Sequence, residues 1–214
     1  MQEIKLEINN VSKSFKKENV LQNINLKCVG GKIYGFIGRN GSGKTVLFKM
    51  VCGLLLPDSG TININGKYIG KDCDFPENIG VMIENPGFLW YQSGYSNLEY
   101  LAGIKKKIGK QDIYNIMNMV GLDPVNRKIV GKYSLGMKQR LGIAQAVMED
   151  PDIIILDEPM NGLDEQGVEN MRDLFINLKK KGKLILIASH NKEDIEVLCD
   201  EVYHLANGTM TKVE

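Results

Sequence analysis

The sequence lacks long apolar runs, paired cysteines and an excess of either charge. No run of about 18 or more apolar residues occurs, so no segment is expected to span a bilayer. The four cysteines, at 28, 52, 73 and 199, form no C-x-x-C pair, which favours free thiols in a reducing compartment. The net charge is only +1, so composition gives no reason to expect binding to nucleic acid or to anionic lipid.

What the chain does have is an ordinary globular composition. Of its 214 residues, 43% are hydrophobic and 25% are charged, which is typical of a soluble protein with a sizeable core. The first seven residues alternate charged and apolar side chains and do not resemble a signal peptide. Length and composition together predict one large domain, or one domain with a sub-lobe.

The most informative stretch is a glycine-rich loop at residues 38–45, between an apolar strand at 33–37 and an apolar helix from 46. It matches the phosphate-loop pattern G-x-x-x-x-G-K-[ST] in the strand–loop–helix context that this pattern requires. Backbone N–H groups and the helix N-terminus would cradle phosphate, Lys44 would reach the β- and γ-phosphates, and Thr45 would hold Mg²⁺. The loop consists of Gly38, Arg39, Asn40, Gly41, Ser42, Gly43, Lys44 and Thr45.

The periodicity predicts an α/β fold around this loop. Alternation at 3–8 and 21–29 indicates N-terminal antiparallel strands, with a turn at Asn9–Asn10, and the strand at 61–67 is expected to rejoin them. A helical pattern at 95–149 predicts a helical sub-lobe, about residues 88–150, inserted into the core. Further buried strands are predicted at 79–83, 152–158 and 183–190, and a closing hairpin is predicted at 201–213.

Two carboxylates end the buried strand at 152–158, in the Walker B arrangement. Ligands bind at the carboxyl ends of strands in parallel sheets, so these acids should lie beside the phosphate loop. Asp157 is suited to Mg²⁺, directly or through water, and Glu158 to positioning the attacking water. The sequence therefore predicts a nucleotide site in which adjacent carboxylates serve the metal and the attacking water.

Residues 133–140 read Y-S-L-G-M-K-Q-R, and here the chain resembles the ATP-binding subunits of ABC transporters. The family signature is L-S-G-G-Q, so Tyr133, Leu135 and Met137 depart from it while Ser134 and Gly136 are retained. A serine hydroxyl and amides at a helix N-terminus form a second anion site. The resemblance implies a head-to-tail dimer in which Ser134 and Gly136 contact the γ-phosphate bound by the other subunit.

The resemblance covers about residues 2–213. It implies a P-loop NTPase core with an N-terminal antiparallel β sub-lobe and an inserted α-helical sub-lobe. It assigns Phe15 to stacking on adenine, although a core phenylalanine is nearly as good an interpretation, Asp164 to the loop that crosses the dimer interface, and His190 to the γ-phosphate. It further implies ATP and Mg²⁺ as ligands, and a cytoplasmic subunit held at the inner face of the membrane by a separate transmembrane permease.

One departure narrows the resemblance. After the strand at 79–83 the family normally has Gln, which joins Mg²⁺ and couples the site to the helical sub-lobe, whereas this chain has Glu84. The stretch 83–88 is similar to the subgroup that serves export of, or immunity to, bacteriocins, lantibiotics and bacitracin. A carboxylate beside polyphosphate is repulsive unless Mg²⁺ or a lysine intervenes, so Glu84 is expected to belong to the metal region and to change the coupling.

Three alternatives remain open at this point. A soluble ATPase of the same type acting on nucleic acid or ribosomes would be expected to carry a basic patch or a long coiled coil. An ATP-gated sensor would not need Glu158, although the altered signature is compatible with slow turnover. The apolar residues 88–91 suit either core packing or a groove for a partner helix.

Overall fold

The structure is a computed structural model that describes residues 4–16, 18–84 and 86–213. Gln2, Glu3 and Asn85, which belong to predicted segments, lie outside the described residues. The strands are β1 (Lys5–Phe15), β2 (Glu18–Val29), β3 (Lys32–Ile37), β4 (Ser59–Ile64), β5 (Lys67–Tyr68), β6 (Ile79–Met82), β7 (Ile153–Asp157), β8 (Leu184–Ala188), β9 (Glu201–Ala206) and β10 (Thr209–Val213). The α-helices are α1 (Lys44–Val51), α2 (Gly94–Lys105), α3 (Lys110–Met119), α4 (Leu135–Val147), α5 (Glu165–Lys180) and α6 (Lys192–Leu198).

The N-terminal strands form a four-stranded antiparallel sheet in the order β2-β1-β4-β5. This confirms the predicted antiparallel pair and the return of the segment after α1 to the same sheet. The turn predicted at Asn9–Asn10 is wrong, because β1 continues through both residues. The pairing with β2 shifts register between Ile8 and Val11, and Asn10 has a φ of 52°, a left-handed conformation that Asn tolerates. A bulge in the strand uses the residues that the sequence suggested for a turn.

The second sheet has six strands in the order β10-β9-β3-β8-β7-β6. Strands β6, β7, β8, β3 and β9 are parallel neighbours, and β10 adds an antiparallel edge. Every residue of β8, and residues 153–156 of β7, are buried, which explains their continuous apolar sequence. The carboxyl ends of β3, β8, β7 and β6 therefore meet at one edge of the sheet.

Helices α2, α3 and α4 follow β6 and precede β7 in the chain. They share a hydrophobic core with one face of the parallel sheet, contributed by residues such as Leu98, Met117 and Leu141. The helical pattern is broken over 120–134, where only a short 3₁₀ helix (Val130–Lys132) forms. The predicted interruptions at Pro124 and Gly131 lie in this break. The extent of the sub-lobe as a unit, about 88–150, stays a prediction.

The cysteines form no disulfides, and burial keeps at least two of the thiols protonated. All four are unpaired, and burial raises the pKa of Cys52 and of Cys199 to about 12. Neutral thiols in these positions pack as small apolar groups. As for length and polarity, none of the helices in the described ranges could reach across a bilayer.

Helix α4 lies directly on the edge strand β6, backbone against backbone. A Cβ atom placed on Gly80 would lie 1.7 Å from the carbonyl oxygen of Ala146, so no side chain fits at this position. The close approach seats the C-terminal part of α4 on the strand that leads to Glu84.

We expect Gly80→Ala to lower the free energy of unfolding by about 3 kcal/mol, because the added methyl must displace backbone rather than a movable side chain. Thermal unfolding of the purified protein measures this. Gly103→Ala is the matched control, since a Cβ at Gly103 in α2 meets no atom within 4 Å and alanine is the better helix former. Equal melting temperatures for the two variants would contradict the packing described here.

Candidate functional site

A cleft of about 550 Å³ lies at the carboxyl edge of the parallel sheet. It brings together residues that are far apart in sequence, because the four strands that end here are neighbours. A larger cavity of about 920 Å³ between α3, α4 and α5 contains none of the predicted site residues. The cleft is lined by Val20, residues 40–46, Glu84, Leu135, Gln139, Asp157, Glu158 and Asn161.

The phosphate loop has a conformation that only glycine adopts readily. Gly43 has a φ of 101° and caps the N-terminus of α1, so the loop runs straight into the helix whose positive end faces the cleft. Gly38 has a φ of 153°, and a Cβ there would lie 2.4 Å from the carbonyl oxygen of Leu205. Gly38 and Arg39 lie at the base of the loop and are not among the described residues that line the cleft.

The ammonium of Lys44 is buried within the loop, with 6% of the residue exposed. Its Nζ donates hydrogen bonds to the carbonyl oxygens of Gly38, at 2.7 Å, and Arg39, at 3.2 Å. Neutral carbonyl oxygens orient the ammonium without forming an ion pair with it, so it is available to an anion in the cleft. The structure thus places Lys44 where the sequence predicted it.

The next residue links the loop to the neighbouring strands. Thr45 Oγ1 donates a hydrogen bond of 2.6 Å to Oδ2 of Asp157, the last residue of β7. The hydroxyl and the carboxylate are both hard oxygen ligands, which suit Mg²⁺. In the described ranges no group of three or more His, Cys, Asp or Glu residues could hold a metal by itself. Mg²⁺ is usually bound through one or two carboxylates together with substrate phosphates.

Glu158 and His190, which the sequence singled out for separate roles, contact each other in the structure, although His190 is not among the described residues that line the cleft. Nδ1 of His190 lies 2.8 Å from Oε2 of Glu158, and the backbone N–H of His190 donates to the same oxygen at 3.4 Å. Glu158 has a φ of 53°, and its own N–H donates to the carbonyl oxygen of Ala188 in β8. The strand therefore turns sharply at Glu158, and this turn brings the carboxylate and the imidazole together.

Sequence reasoning missed the contact that holds this turn. Nε2 of Gln139, on α4, donates a 2.6 Å hydrogen bond to the carbonyl oxygen of Glu158. Gln139 lies within the 133–140 stretch that the sequence singled out, but nothing in the sequence indicated that it contacts Glu158. Asn161, whose N–H donates to the same carbonyl at 3.3 Å, was also missed.

Glu84 also lines the cleft, two residues after the end of β6. Its side chain is 61% exposed and accepts a 2.7 Å hydrogen bond from Nζ of Lys49. Its φ is 56°, so the chain turns here as it does at Glu158. The structure therefore brings Glu84 to the same cleft as Thr45 and Asp157, as the sequence predicted.

Ser134 and Gly136 are not among the described residues that line the chain's own cleft. Ser134 caps α4, and its Oγ accepts a 3.2 Å hydrogen bond from the N–H of Met137, which leaves the hydroxyl proton for an acceptor outside the helix. Gly136 packs tightly, because a Cβ there would lie 2.7 Å from the carbonyl oxygen of Gly162. Leu135, between them, is 62% exposed at the rim of the cleft.

Tyr133, which replaces the leading Leu of the signature, is buried. Its hydroxyl accepts a 3.2 Å hydrogen bond from the N–H of Gly94 at the start of α2. Burial raises the pKa of this phenol, so it stays neutral. The substitution therefore fits the packing of α2 against the start of α4.

Asp164 caps α5 and accepts a hydrogen bond of 3.2 Å from the N–H of Gly167. It also pairs with Arg140 of α4, at 3.1 Å, and Arg140 donates to the carbonyl oxygen of Val120. Arg140, in α4, thus connects Asp164 in the loop after Glu158 with the end of α3. The sequence did not predict this role. The part of Asp164 in a dimer interface stays a prediction.

Two aromatic predictions have different outcomes. Phe15 is exposed at the end of β1, with Lys13 Nζ 5.6 Å from its ring centroid, so the alternative interpretation as a core phenylalanine is wrong. It does not appear among the described residues that line the cleft, so its stacking on adenine stays a prediction. The segment 88–91 divides between the two interpretations, since Phe88 packs against the core whereas Trp90 and Tyr91 are exposed.

Comparison with known proteins places these features in a family. Residues 21–161 match the family model described as ABC transporter. The chain is 44% identical over 209 residues to an uncharacterized ABC transporter ATP-binding protein, YybJ, of Bacillus subtilis strain 168, covering 98% of this chain and 96% of that protein.

Two further relatives are named for their cargo. The bacitracin transport ATP-binding protein BcrA of Enterococcus faecalis is 39% identical over 209 residues, covering 97% of this chain and 68% of that protein. The lantibiotic transport ATP-binding protein SrtF of Streptococcus pyogenes is 36% identical over 204 residues, covering 95% and 87%.

Solved structures match the whole fold. The dimeric structure of MJ0796, a bacterial ABC transporter cassette, has a TM-score of 0.86 at 22% identity and covers 98% of this chain and 99% of that chain. The structure of an ATP-binding subunit of an ABC transporter also has a TM-score of 0.86, at 26% identity, with 97% and 89% covered. The predicted fold class is therefore confirmed.

The hydrogen bond from Gln139 to the Glu158 carbonyl generates a prediction. We expect Gln139→Leu to lower kcat for ATP by about tenfold with little change in KM, because losing one hydrogen bond at a strained peptide loosens the carboxylate of Glu158, the predicted base, but leaves the phosphate loop intact. Steady-state ATPase assays measure both constants. Gln145→Leu, on the same helix but facing a different cavity, is the control, and equal kcat values for the two variants would contradict the role of Gln139.

Proposed function

Because this chain belongs to the ABC transporter family, we propose that the cleft at the carboxyl edge of the six-stranded sheet binds MgATP and hydrolyses it to drive a separate membrane permease. The chain is an ATP-binding subunit and an ATPase of this family. The proposal adds which residues act, which ion takes part, and which partners and cargo the subunit serves.

The observation that carries the proposal is the meeting of three groups of residues at the carboxyl edge of the parallel sheet. The first group is the phosphate loop, whose backbone amides and buried Lys44 ammonium suit a phosphate. The second is Thr45 and Asp157, two oxygen ligands joined by a hydrogen bond, and the third is Glu158 in contact with His190. The Thr45 hydroxyl and the Asp157 carboxylate would hold Mg²⁺, which neutralises charge on the phosphates when it is bound.

Glu158 is the group that orients the attacking water and accepts its proton. His190, which contacts Glu158 through Nδ1, would donate from its other ring nitrogen to the γ-phosphate. Phosphoryl transfer needs little beyond positioning and electrostatic stabilisation of the reacting groups. The turn at the end of β7 would supply the positioning of Glu158.

We propose further that two copies of the subunit enclose the nucleotides between them. Support comes from Ser134 and Gly136, which lie outside the chain's own cleft while Ser134 keeps a hydroxyl proton at a helix N-terminus. A phosphate bound to Lys44 of one copy would take these donors from the other copy. The dimeric cassette named above has the same fold.

The permease partner is proposed to dock beside α2, on the exposed residues Tyr100 and Ile104 and on the exposed pair Trp90 and Tyr91, which follows Leu89 in the chain. Residues of this kind, with large apolar or aromatic side chains, dominate the centres of protein interfaces. Leu89, Tyr100 and Ile104 line a shallow cavity beside α2, a shape that suits an apolar partner segment. Docking there would hold the subunit at the cytoplasmic face of the membrane.

The cargo is proposed to be an antimicrobial peptide or a similar compound, moved outward. The support is the identity with the bacitracin and lantibiotic transport proteins over nearly the whole chain, together with Glu84 in the position where the wider family has Gln. The outward direction of transport is proposed on the same support, the identity with the bacitracin and lantibiotic transport proteins.

Substitutions of Glu158 and Lys44 separate hydrolysis from binding. Glu158→Gln should keep ATP affinity and lose turnover by about 100-fold or more, because the base is removed without a change of shape. Lys44→Ala should weaken ATP binding itself, because the phosphate loses its main cation. Calorimetric binding and phosphate release give the two quantities, and His204→Ala, whose side chain the proposal does not use, is the control. Near wild-type turnover in Glu158→Gln, or tight ATP binding by Lys44→Ala, would remove that residue from its proposed role.

The docking patch is tested by recovery of membrane partners. Ile104→Glu should reduce co-purification of a polytopic membrane protein from detergent-solubilised host membranes at least tenfold, while basal ATPase activity stays unchanged, since a charge in an apolar contact is costly. Val125→Glu is the matched control, because Val125 is 67% exposed and Ile104 is 69% exposed. Recovery of ribosomal or DNA-associated proteins instead, with no membrane protein, would favour a soluble ATPase and contradict the proposal.

A further inference from the structure

The ion pair between Lys49 and Glu84 concerns the chemistry of the cleft more than the stability of the fold. Nζ of Lys49 donates to Oε1 of Glu84 at 2.7 Å, with 34% and 61% of the two side chains exposed. Exposed pairs of this kind contribute little to folding. The position of the pair, at the wall of the nucleotide cleft, indicates a different role.

Several acidic side chains line the cleft. Three carboxylates line it, those of Glu84, Asp157 and Glu158. An incoming ATP adds about four more negative charges, and like charges within one cleft repel each other more strongly when water is partly excluded. Asp157 accepts from Thr45, and Glu158 lies against His190, whereas Glu84 is the carboxylate that a lysine neutralises.

One face of α1 contacts two of the three carboxylates. Thr45 and Lys49 are four residues apart in this helix, so their side chains point to the same side. Thr45 bonds to Asp157 at the end of β7, and Lys49 bonds to Glu84 just beyond the end of the adjacent strand β6. The helix that begins on the phosphate loop therefore sets the positions of both carboxylates relative to the phosphates.

The bond to Lys49 also fixes the direction of the Glu84 side chain. Glu84 has a φ of 56°, which is unfavourable for a residue other than glycine and persists only where contacts support it. Lys49 engages Oε1 and leaves Oε2 for another partner. The carboxylate is thus held, with its charge paired and one oxygen left open, at the side of the cleft where Thr45 and Asp157 would hold Mg²⁺.

We propose that Lys49 is the positioning residue that makes a glutamate at position 84 compatible with ATP binding. Its charge offsets that of Glu84, so that Glu84 can approach the metal region without repelling the phosphates. The dependence is specific, because a neutral glutamine at position 84 would not need the lysine. This inference rests on the proposed use of the cleft as the MgATP site.

A cycle of four proteins tests the proposal: the wild type, Lys49→Gln, Glu84→Gln and the double variant. Calorimetry measures the Kd of a non-hydrolysable ATP analogue, once with Mg²⁺ and once with EDTA. We expect Lys49→Gln to weaken binding about tenfold in EDTA and about threefold with Mg²⁺, because the ion offsets part of the uncovered charge. Glu84→Gln in the same chain should restore the Kd to within about twofold of wild type.

Three controls separate positioning from a loss of structure. Lys49→Arg should bind the analogue as the wild type does, because the charge and the donor are kept. Lys67→Gln removes a similar exposed pair, Lys67–Glu77 at 2.8 Å, which is not part of the cleft, and should leave the Kd unchanged. The melting temperatures of all variants should agree to within about 2 °C.

Each outcome is decisive. Equal Kd values for the wild type and Lys49→Gln in EDTA would overturn the proposal, as would a double variant that binds as weakly as Lys49→Gln. Both results would leave the proposed function standing, because wild-type binding would have been observed. A wild-type protein that fails to bind the analogue would overturn the proposed function and this inference together.

Discussion

The hydrogen bond from Thr45 to Asp157 is the contact on which the site depends. It joins the first turn of α1 to the end of β7, and it can form only because β3, β8 and β7 run parallel and end at the same edge. The phosphate loop, the carboxylates and the imidazole each follow a different strand. Their meeting is therefore a consequence of the order of strands in the sheet, and a change in that order would leave every motif intact but separate their side chains.

The sequence predicts most of this framework and few of its contacts. Alternating or continuous apolar runs indicated the strands, because sheet burial imposes those periods, and the loop at 38–45 and the acids after β7 indicated the site. Contacts between distant side chains have no such periodic signal. Gln139 with Glu158, Arg140 with Asp164, and Lys49 with Glu84 depend on how helices are set against the sheet, as does the bulge at Asn10, where a turn was expected.

Two of the acidic residues in the cleft share an unusual backbone conformation. Glu84 and Glu158 both have a positive φ, and each follows closely on a parallel strand of the same sheet. Such conformations cost of order 1–3 kcal/mol and are concentrated at functional sites. At Glu158 the cost is offset by hydrogen bonds from Gln139 and Asn161 to its carbonyl oxygen. The site thus stores strain next to the groups that must point into the cleft.

The contact of Gly80 with Ala146 has a mechanical meaning. Helix α4 presents Ser134 at one end and rests on β6 near the other, with no side chain between the two backbones at Gly80. Its 13 residues span about 20 Å. Because no side chain separates the two backbones at this contact, a shift of α4 along its axis could not be absorbed by rotation of a side chain there and would also move β6, the strand that leads to Glu84.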